Sequence, residues 1–278
     1  MGTFDSKEWR ECFNVFKNKR WLWVGDNKSG FWILETKKFC LKIYEAGWRG
    51  TYLSGKNLKD RRPEDFLQFF KKFTLKVVIN DYNKNFKESK VFETVWEKAF
   101  ILRKKSEEEL LRDYKKSLRE DIRRGEKQGL IFKELNEDFL KEFYKIYSYT
   151  MKKLKVAPLP FNFIKNLCEK LKPKNLLSLH GVFKGEKLLS ASLSLYPNEK
   201  ISLAYIQGTS EEGYKLRASP FIFHNLILSE FKKGYEIFSF GAVPKGKSSL
   251  IFFKKTFGAE EYDYPSYIWY NPWYVEEG

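Results

Sequence analysis

The chain has 278 residues, enough to bury a real core as one large domain or two smaller ones, and its 18% aromatic content excludes a disordered polymer despite 32% charged residues. A formal net charge of +16 implies attraction to polyanions such as tRNA, nucleotides or an anionic lipid surface, without choosing among them. Abundant Lys and Glu with little Gln also resemble the surface of a thermophile's protein, where ion-pair networks serve heat stability, but balanced pairs leave the net excess unexplained. Cys12, Cys40 and Cys168 are odd in number, far apart and without metal-ligand spacing, so neither a disulfide framework nor a metal site is expected and a reducing cytoplasm fits. The N-terminus lacks a basic-then-apolar signal pattern, and no run approaches the roughly 18 apolar residues of a membrane span. A cytoplasmic location is expected, with any membrane contact peripheral at the inner face.

In chain order, Trp9, Phe13 and Phe16 recur at helical spacing and predict a helix over residues 5–19, with Asp5 or Ser6 as its cap. Short aromatic and β-branched runs at 21–24, 31–35, 39–44 and 50–53, separated by Gly and Asn-Lys-Ser-Gly turn chemistry, predict a strand meander. A helix opening on Pro63 and reaching Phe73 leads into strands at 75–79 and 91–102. One long charged helix is expected across 103–129, begun by Ser106-Glu107-Glu108-Glu109 and stopped by Gly129. On it Lys116, Arg119 and Arg123 fall on one face, which reads equally as a solvated surface and as an anion-binding stripe.

Beyond this joint the order is a strand at 130–134, helices at 136–154 and 161–171, and strands at 176–183, 187–196 and 201–207. A helix at 219–233, a strand at 237–240, a helix at 247–257 and a closing strand at 262–270 complete it. The pattern is β-α-α-β-β-β-α-β-α-β, of α/β (α+β) class.

Several segments in that order carry a resemblance. They are Arg119-x-x-x-Arg123-Arg124 ending in Lys127-Gln128-Gly129, Phe143-Tyr144-x-x-Tyr147-x-x-Thr150, Pro158-Leu159-Pro160-Phe161, and Phe253-Lys254-x-x-Phe257-Gly258. Together they resemble the FemAB branch of the GNAT acyltransferases, which includes the peptidoglycan-bridge aminoacyltransferases. The resemblance implies two GNAT-like lobes, a reduced one over residues 1–105 and a complete one over residues 106–278. It also implies N-acyl transfer, with aminoacyl-tRNA or acyl-CoA as co-substrate, no permanently bound cofactor, and an amine acceptor drawn from cell-envelope precursors or lipids. Two departures stand out. The expected pyrophosphate loop reads Gln207-Gly208-Thr209-Ser210-Glu211-Glu212-Gly213-Tyr214-Lys215-Leu216-Arg217, with misplaced glycines and two acids, and Phe238-Ser239-Phe240-Gly241 lacks an Asp that the branch often carries.

Aminolysis of an ester or thioester needs positive charge or N–H groups where the oxyanion forms. Lys254, supported by Phe253, is the first candidate for that charge, and the resemblance places a transition-state lysine there; the alternative is a solvent-facing lysine beside a core phenylalanine. His224, about one turn into its helix, is a candidate base, although a lone helical His is more often packed or exposed. Gln207, Gly208, Lys215, Arg217 and Ser219 are expected on the donor, Ser219 doubling as a helix cap. Arg119, Arg123, Arg124 and Tyr147 are expected on the acceptor or another anion. No metal-binding helix, Gly-x-Ser-x-Gly elbow or Walker loop is present. A non-catalytic tRNA- or nucleic-acid-binding protein on the same fold, and a peripheral lipid-modifying aminoacyltransferase, stand as alternatives.

Overall fold

The computed structural model describes residues 2–48, 51–70, 73–244 and 246–272. The chain forms two compact units, one of Met1–Thr3 with Phe100–Glu261 and the other of Phe4–Ala99 with Tyr262–Gly278.

The N-terminal unit opens with α1 (Lys7–Glu11), where the Trp9 amide donates to the N-cap Ser6 Oγ at 3.1 Å. Short 3-10 turns flank it, so the helix expected over 5–19 is only its middle. Strands β1 (Lys19–Gly25), β2 (Gly30–Lys38), β3 (Leu41–Ala46), β4 (Gly55–Lys56) and β5 (Thr74–Asn80) follow. Of the strand expected over 50–53, residues 51–53 take no strand and residue 50 lies outside the described residues; the helix expected over 63–73 is a 3-10 turn, Pro63–Phe69, with residues 71 and 72 outside the described residues. β1, β2 and β3 pair antiparallel, β3 and β5 pair parallel, and β4 pairs the start of β2. Phe31, Phe66 and Phe86 meet edge to face at 5.1 to 6.0 Å in the core. The buried Glu35 carboxylate is satisfied by Arg20 at 2.7 Å and by the Tyr44 hydroxyl at 2.8 Å.

β6 (Glu93–Arg103) carries the chain into the C-terminal unit. The single charged helix expected over 103–129 is two helices, α2 (Glu107–Asp113) and α3 (Lys116–Lys127). Tyr114 and Lys115 are extended between them, because tertiary partners replace the helix's own: the Lys115 amide donates to Thr256 O at 2.9 Å. Ser106 and Glu109 form the anticipated capping box, and Gly129 ends α3 with a φ of 70°. Then come β7 (Ile131–Glu134), α4 (Leu140–Lys153), α5 (Phe161–Leu171), β8 (Leu177–Lys184), β9 (Lys187–Asn198) and β10 (Ile201–Thr209). The unit continues with α6 (Glu211–Lys215), α7 (Ala218–Lys232), β11 (Ile237–Val243) and α8 (Ser248–Thr256). Its strand order is β6-β11-β10-β9-β8-β7, antiparallel from β7 through β10 and parallel between β10 and β11.

The last strand, β12 (Glu260–Tyr270), departs from the expected lobe boundaries of 1–105 and 106–278. From Ser266 to Tyr270 it pairs antiparallel with β5, and Tyr267 packs in the N-terminal core against Phe86. The chain after Glu261 thus joins the N-terminal unit. Alternation along a strand predicts which side chains are buried, not which strand edge will receive it.

Candidate active site

Lys254 lies on α8 with only 7% of its surface exposed. Its Nζ donates to Phe240 O and Gly241 O at 2.8 Å each, and to Ala242 O at 3.4 Å. Gly241, with a φ of 72°, takes the left-handed turn that presents these successive carbonyls at the end of β11. The Phe100 ring lies 5.5 Å from the ammonium. Among the described residues no carboxylate forms an ion pair with it. Burial pushes the Lys254 pKa down to about 7, while hydrogen bonds to the charged form pull the other way.

Phe253 and Thr256, on the same helix, face elsewhere. They line a cleft of about 280 Å³ completed by Phe252, by Ser117, Leu118 and Asp121 of α3, and by Tyr214, Arg217, Ser219 and Pro220 around the start of α7. Phe253 is held edge to face by Phe257 at 5.2 Å and by Phe223 at 5.5 Å. Arg217 precedes α7 in the left-handed region, φ 61°, and its Nε lies 3.3 Å from Asp121 Oδ1. No side chain caps α7, no acid occupies its first turn, and Pro220 has no amide hydrogen. Ala218 is buried in the core, so the Ser219 amide is the free donor that this fifteen-residue helix presents to the cleft.

The structure gathers only part of the expected site. Phe253, Arg217 and Ser219 line the cleft, whereas the Lys254 ammonium sits behind α8 on the carbonyls of β11. His224 is packed: 4% exposed, edge to face with Tyr114 at 5.8 Å, and with its pKa pushed down to about 4 by burial. Its Nε2 is 3.9 Å from Glu107 Oε1, and it does not line the cleft. Lys215 is exposed and pairs with Glu211 at 3.0 Å. Gln207 donates to Ser190 Oγ at 3.1 Å and to Thr209 Oγ1, and Gly208 lies against the backbone of Tyr147. Tyr147 is buried, its hydroxyl accepting from the Leu159 amide at 3.1 Å. Gly208 and Tyr147 thus pack α4 on β10, while Gln207 ties β10 to β9. Arg119 caps α2, donating to Leu111 O at 3.0 Å and Tyr114 O at 2.6 Å, so it leaves the anion stripe, while Arg123 and Arg124 stay exposed. Sequence reasoning missed Asp121, Ser117, Tyr214 and Thr256. The spacing of Ser117, Leu118 and Asp121 along one side of α3 is the signal that could have found the first two.

Residues 80–182 match the model of the FemAB family. Over most of its length the chain is similar in fold to solved structures. A FemX crystal structure is matched at TM-score 0.69 with 13% identity, covering 96% of this chain and 92% of that one. The L-PGS structure from Bacillus licheniformis is matched at TM-score 0.62 with 12% identity, covering 96% and 92%. The C-terminal domain of a putative lysylphosphatidylglycerol synthetase from Agrobacterium fabrum follows at 0.61 with 12% identity, covering 95% and 87%. A tandem GNAT protein from the clavulanic acid biosynthesis pathway is matched at 0.50 with 7% identity. No curated protein matches the chain by sequence. The FemAB-like, GNAT-type α/β fold expected from the residues is thus present, and the family match supports a transferase.

Proposed function

We propose that the protein is an N-acyltransferase that moves an aminoacyl group from aminoacyl-tRNA onto an amine, with the cleft at the start of α7 receiving the donor. The observation that carries this is Lys254: a cation removed from water without a carboxylate is costly to keep, and such groups collect at sites of chemistry. Its three donors are committed unequally, two at 2.8 Å and one at 3.4 Å. To meet a carbonyl held in the cleft the ammonium must swing away from the β11 carbonyls, giving up the long contact to Ala242 first, so that Lys254 acts only when negative charge develops on the reacting carbonyl in the transition state. Arg217 and the free Ser219 amide of α7 offer positive charge and an N–H group to an anionic part of the donor. Asp121 fixes the Arg217 guanidinium, and Phe253 with Phe252 gives the cleft an apolar wall.

The family match and the fold support aminoacyl transfer in general terms. The tRNA donor is favoured by the net charge of +16 and by exposed Arg123, Arg124 and Lys127 on the helix that lines the cleft. The acceptor is a cell-envelope precursor or lipid amine, reached from the cytoplasmic side. Among the described residues no helix is long and apolar enough to cross a membrane. The test is to titrate aminoacyl-tRNA and acyl-CoA into the purified protein at two ionic strengths and to follow transfer to amines by mass spectrometry. Tight tRNA binding that falls steeply with salt, with an amide product, is expected. Tight, salt-insensitive CoA binding without a tRNA complex would assign the other donor, and tRNA binding without any product would favour the non-catalytic reading.

A further inference from the structure

Two phenylalanines of the N-terminal unit are placed where folding alone gives no reason for them. Lys38 pairs with Leu41 across the β2–β3 hairpin, so Phe39 and Cys40 form its tip. A two-residue turn needs positive φ and therefore favours Gly or Asn. Phe39 takes a φ of 55° with its side chain 102% exposed, strained at the backbone and packed on nothing. Beside the tip the Lys42 amide donates to Phe73 O at 2.9 Å, and Phe73 repeats the pattern with a φ of 68° and 52% exposure. Phe69, at the end of the 3-10 turn shortly before it, is 41% exposed.

The charges on the hairpin have one sign. Lys37 and Lys38 are exposed on the hairpin itself, and the segment from Thr36 to Lys42 contains no acid. Glu35, the nearest carboxylate in sequence, is buried and already paired with Arg20 and Lys42. The Lys37 amide donates to Asn18 O at 2.8 Å, which brings exposed Lys17 to the same end of the strands. We infer that this hairpin end docks on an anionic lipid bilayer, with Phe39 and Phe73 entering the boundary between headgroups and acyl chains and the lysines meeting lipid phosphates. A freely projecting tip with no surrounding groove suits a soft, flat, negatively charged surface. The inference does not rest on the acyl-transfer reading.

The experiment uses vesicles of phosphatidylcholine with and without phosphatidylglycerol. The protein is expected to sediment with the phosphatidylglycerol vesicles only, and less at high salt. Cys12 and Cys168 are buried, so an environment-sensitive fluorophore on a thiol reports from Cys40, next to Phe39, and its emission should shift to the blue on binding. Phe39→Asn and Phe73→Asn should each weaken vesicle affinity roughly tenfold or more. Because Asn tolerates the left-handed backbone, the melting temperature should stay level or rise, which separates lost docking from lost folding. Lys37→Gln and Lys38→Gln should cost roughly fivefold apiece. Val91→Ser, at another exposed apolar position of this unit, should change nothing. Unchanged vesicle affinity in Phe39→Asn, sedimentation without a spectral shift at Cys40, or absence of binding would overturn the inference. So would a concentration-dependent dimer that Phe39→Asn abolishes, which would assign the surface to a second copy of the chain.

Discussion

The burial of Lys254 makes a quantitative prediction about stability that is independent of any substrate. Its pKa is about 7 in the folded chain against an ordinary value of 10.5, a difference of about 3.5. At about 1.4 kcal/mol per pH unit, this corresponds to roughly 5 kcal/mol of penalty on the charged form. Below pH 7 the lysine is charged in both states and the folded state carries the whole penalty. Between pH 7 and 10.5 the unfolded chain binds the extra proton, so stability rises with pH, and above 10.5 the penalty is gone. Lys254→Met does not titrate. Urea unfolding of both proteins from pH 6 to 10 should therefore give a difference curve in which the wild type gains on the variant, with a slope approaching about 1.4 kcal/mol per pH unit. Other titrating groups cancel in the difference. The carbonyls of Phe240, Gly241 and Ala242 favour the charged form and would move the onset of the rise upward. Two parallel curves across the whole range would show that these acceptors outweigh burial, and the reasoning from desolvation would fail.

If the charged form of Lys254 stabilises the transition state, turnover at saturating donor should fall as pH rises through about 7, whereas a general-base role would make it rise; a pH–rate profile separates the two. Lys254→Met should lower turnover by roughly 10² or more with donor affinity nearly unchanged, while Lys255→Met, whose partner is Glu261 at 2.5 Å, should be mild. Arg217→Gln should weaken tRNA binding and reduce the slope of log affinity against log salt by about 1, as measured by filter binding. Gly208→Ala would place a Cβ 2.6 Å from the Tyr147 backbone nitrogen, and calorimetry should show a loss of about 1–3 kcal/mol in stability.

How far the sequence could be read depended on whether a signal was local. The strands of the C-terminal unit were legible because their apolar runs are bounded by turn chemistry, as at Lys184-Gly185-Glu186, where Gly185 takes a φ of 58°. The capping box at Ser106 was legible for the same reason. The break at Tyr114 was not, because it depends on the Thr256 carbonyl and the Arg119 side chain, partners that helical periodicity cannot register. Arg119 shows the same limit at the level of the site. A basic residue spaced for an anion stripe is spent on the carbonyl end of the preceding helix. Arg217 and Ser219 could be singled out in the sequence because they border a helix terminus, a local feature, and Phe253 because it adjoins Lys254, whereas Asp121 gains its place at the cleft from a partner far along the chain.

The loop before α7 bears on which donor the cleft can hold. A pyrophosphate cradle needs a fan of free backbone amides, but here the loop spends its own. The Thr209 amide donates to Thr150 Oγ1, Ser210 to Leu189 O, Gly213 to Ser210 Oγ, Tyr214 to Ser210 O, Leu216 to Glu212 O and Arg217 to Tyr214 O. The two acids that looked out of place build α6, Glu211 pairing with Lys215 and Glu212 with Lys187. The Glu211 and Glu212 amides open α6 beside their own carboxylates, so what is left for an anion is the start of α7 and Arg217, a contact suited to one phosphate or a polarised carbonyl and not to a pyrophosphate held along its length. On the acyl-transfer reading, a donor gripped so sparingly in the cleft would have to be held by charge elsewhere on its length. That requirement favours a polynucleotide over a coenzyme, and it makes the steepness of the salt dependence, more than affinity at a single ionic strength, the property that distinguishes them.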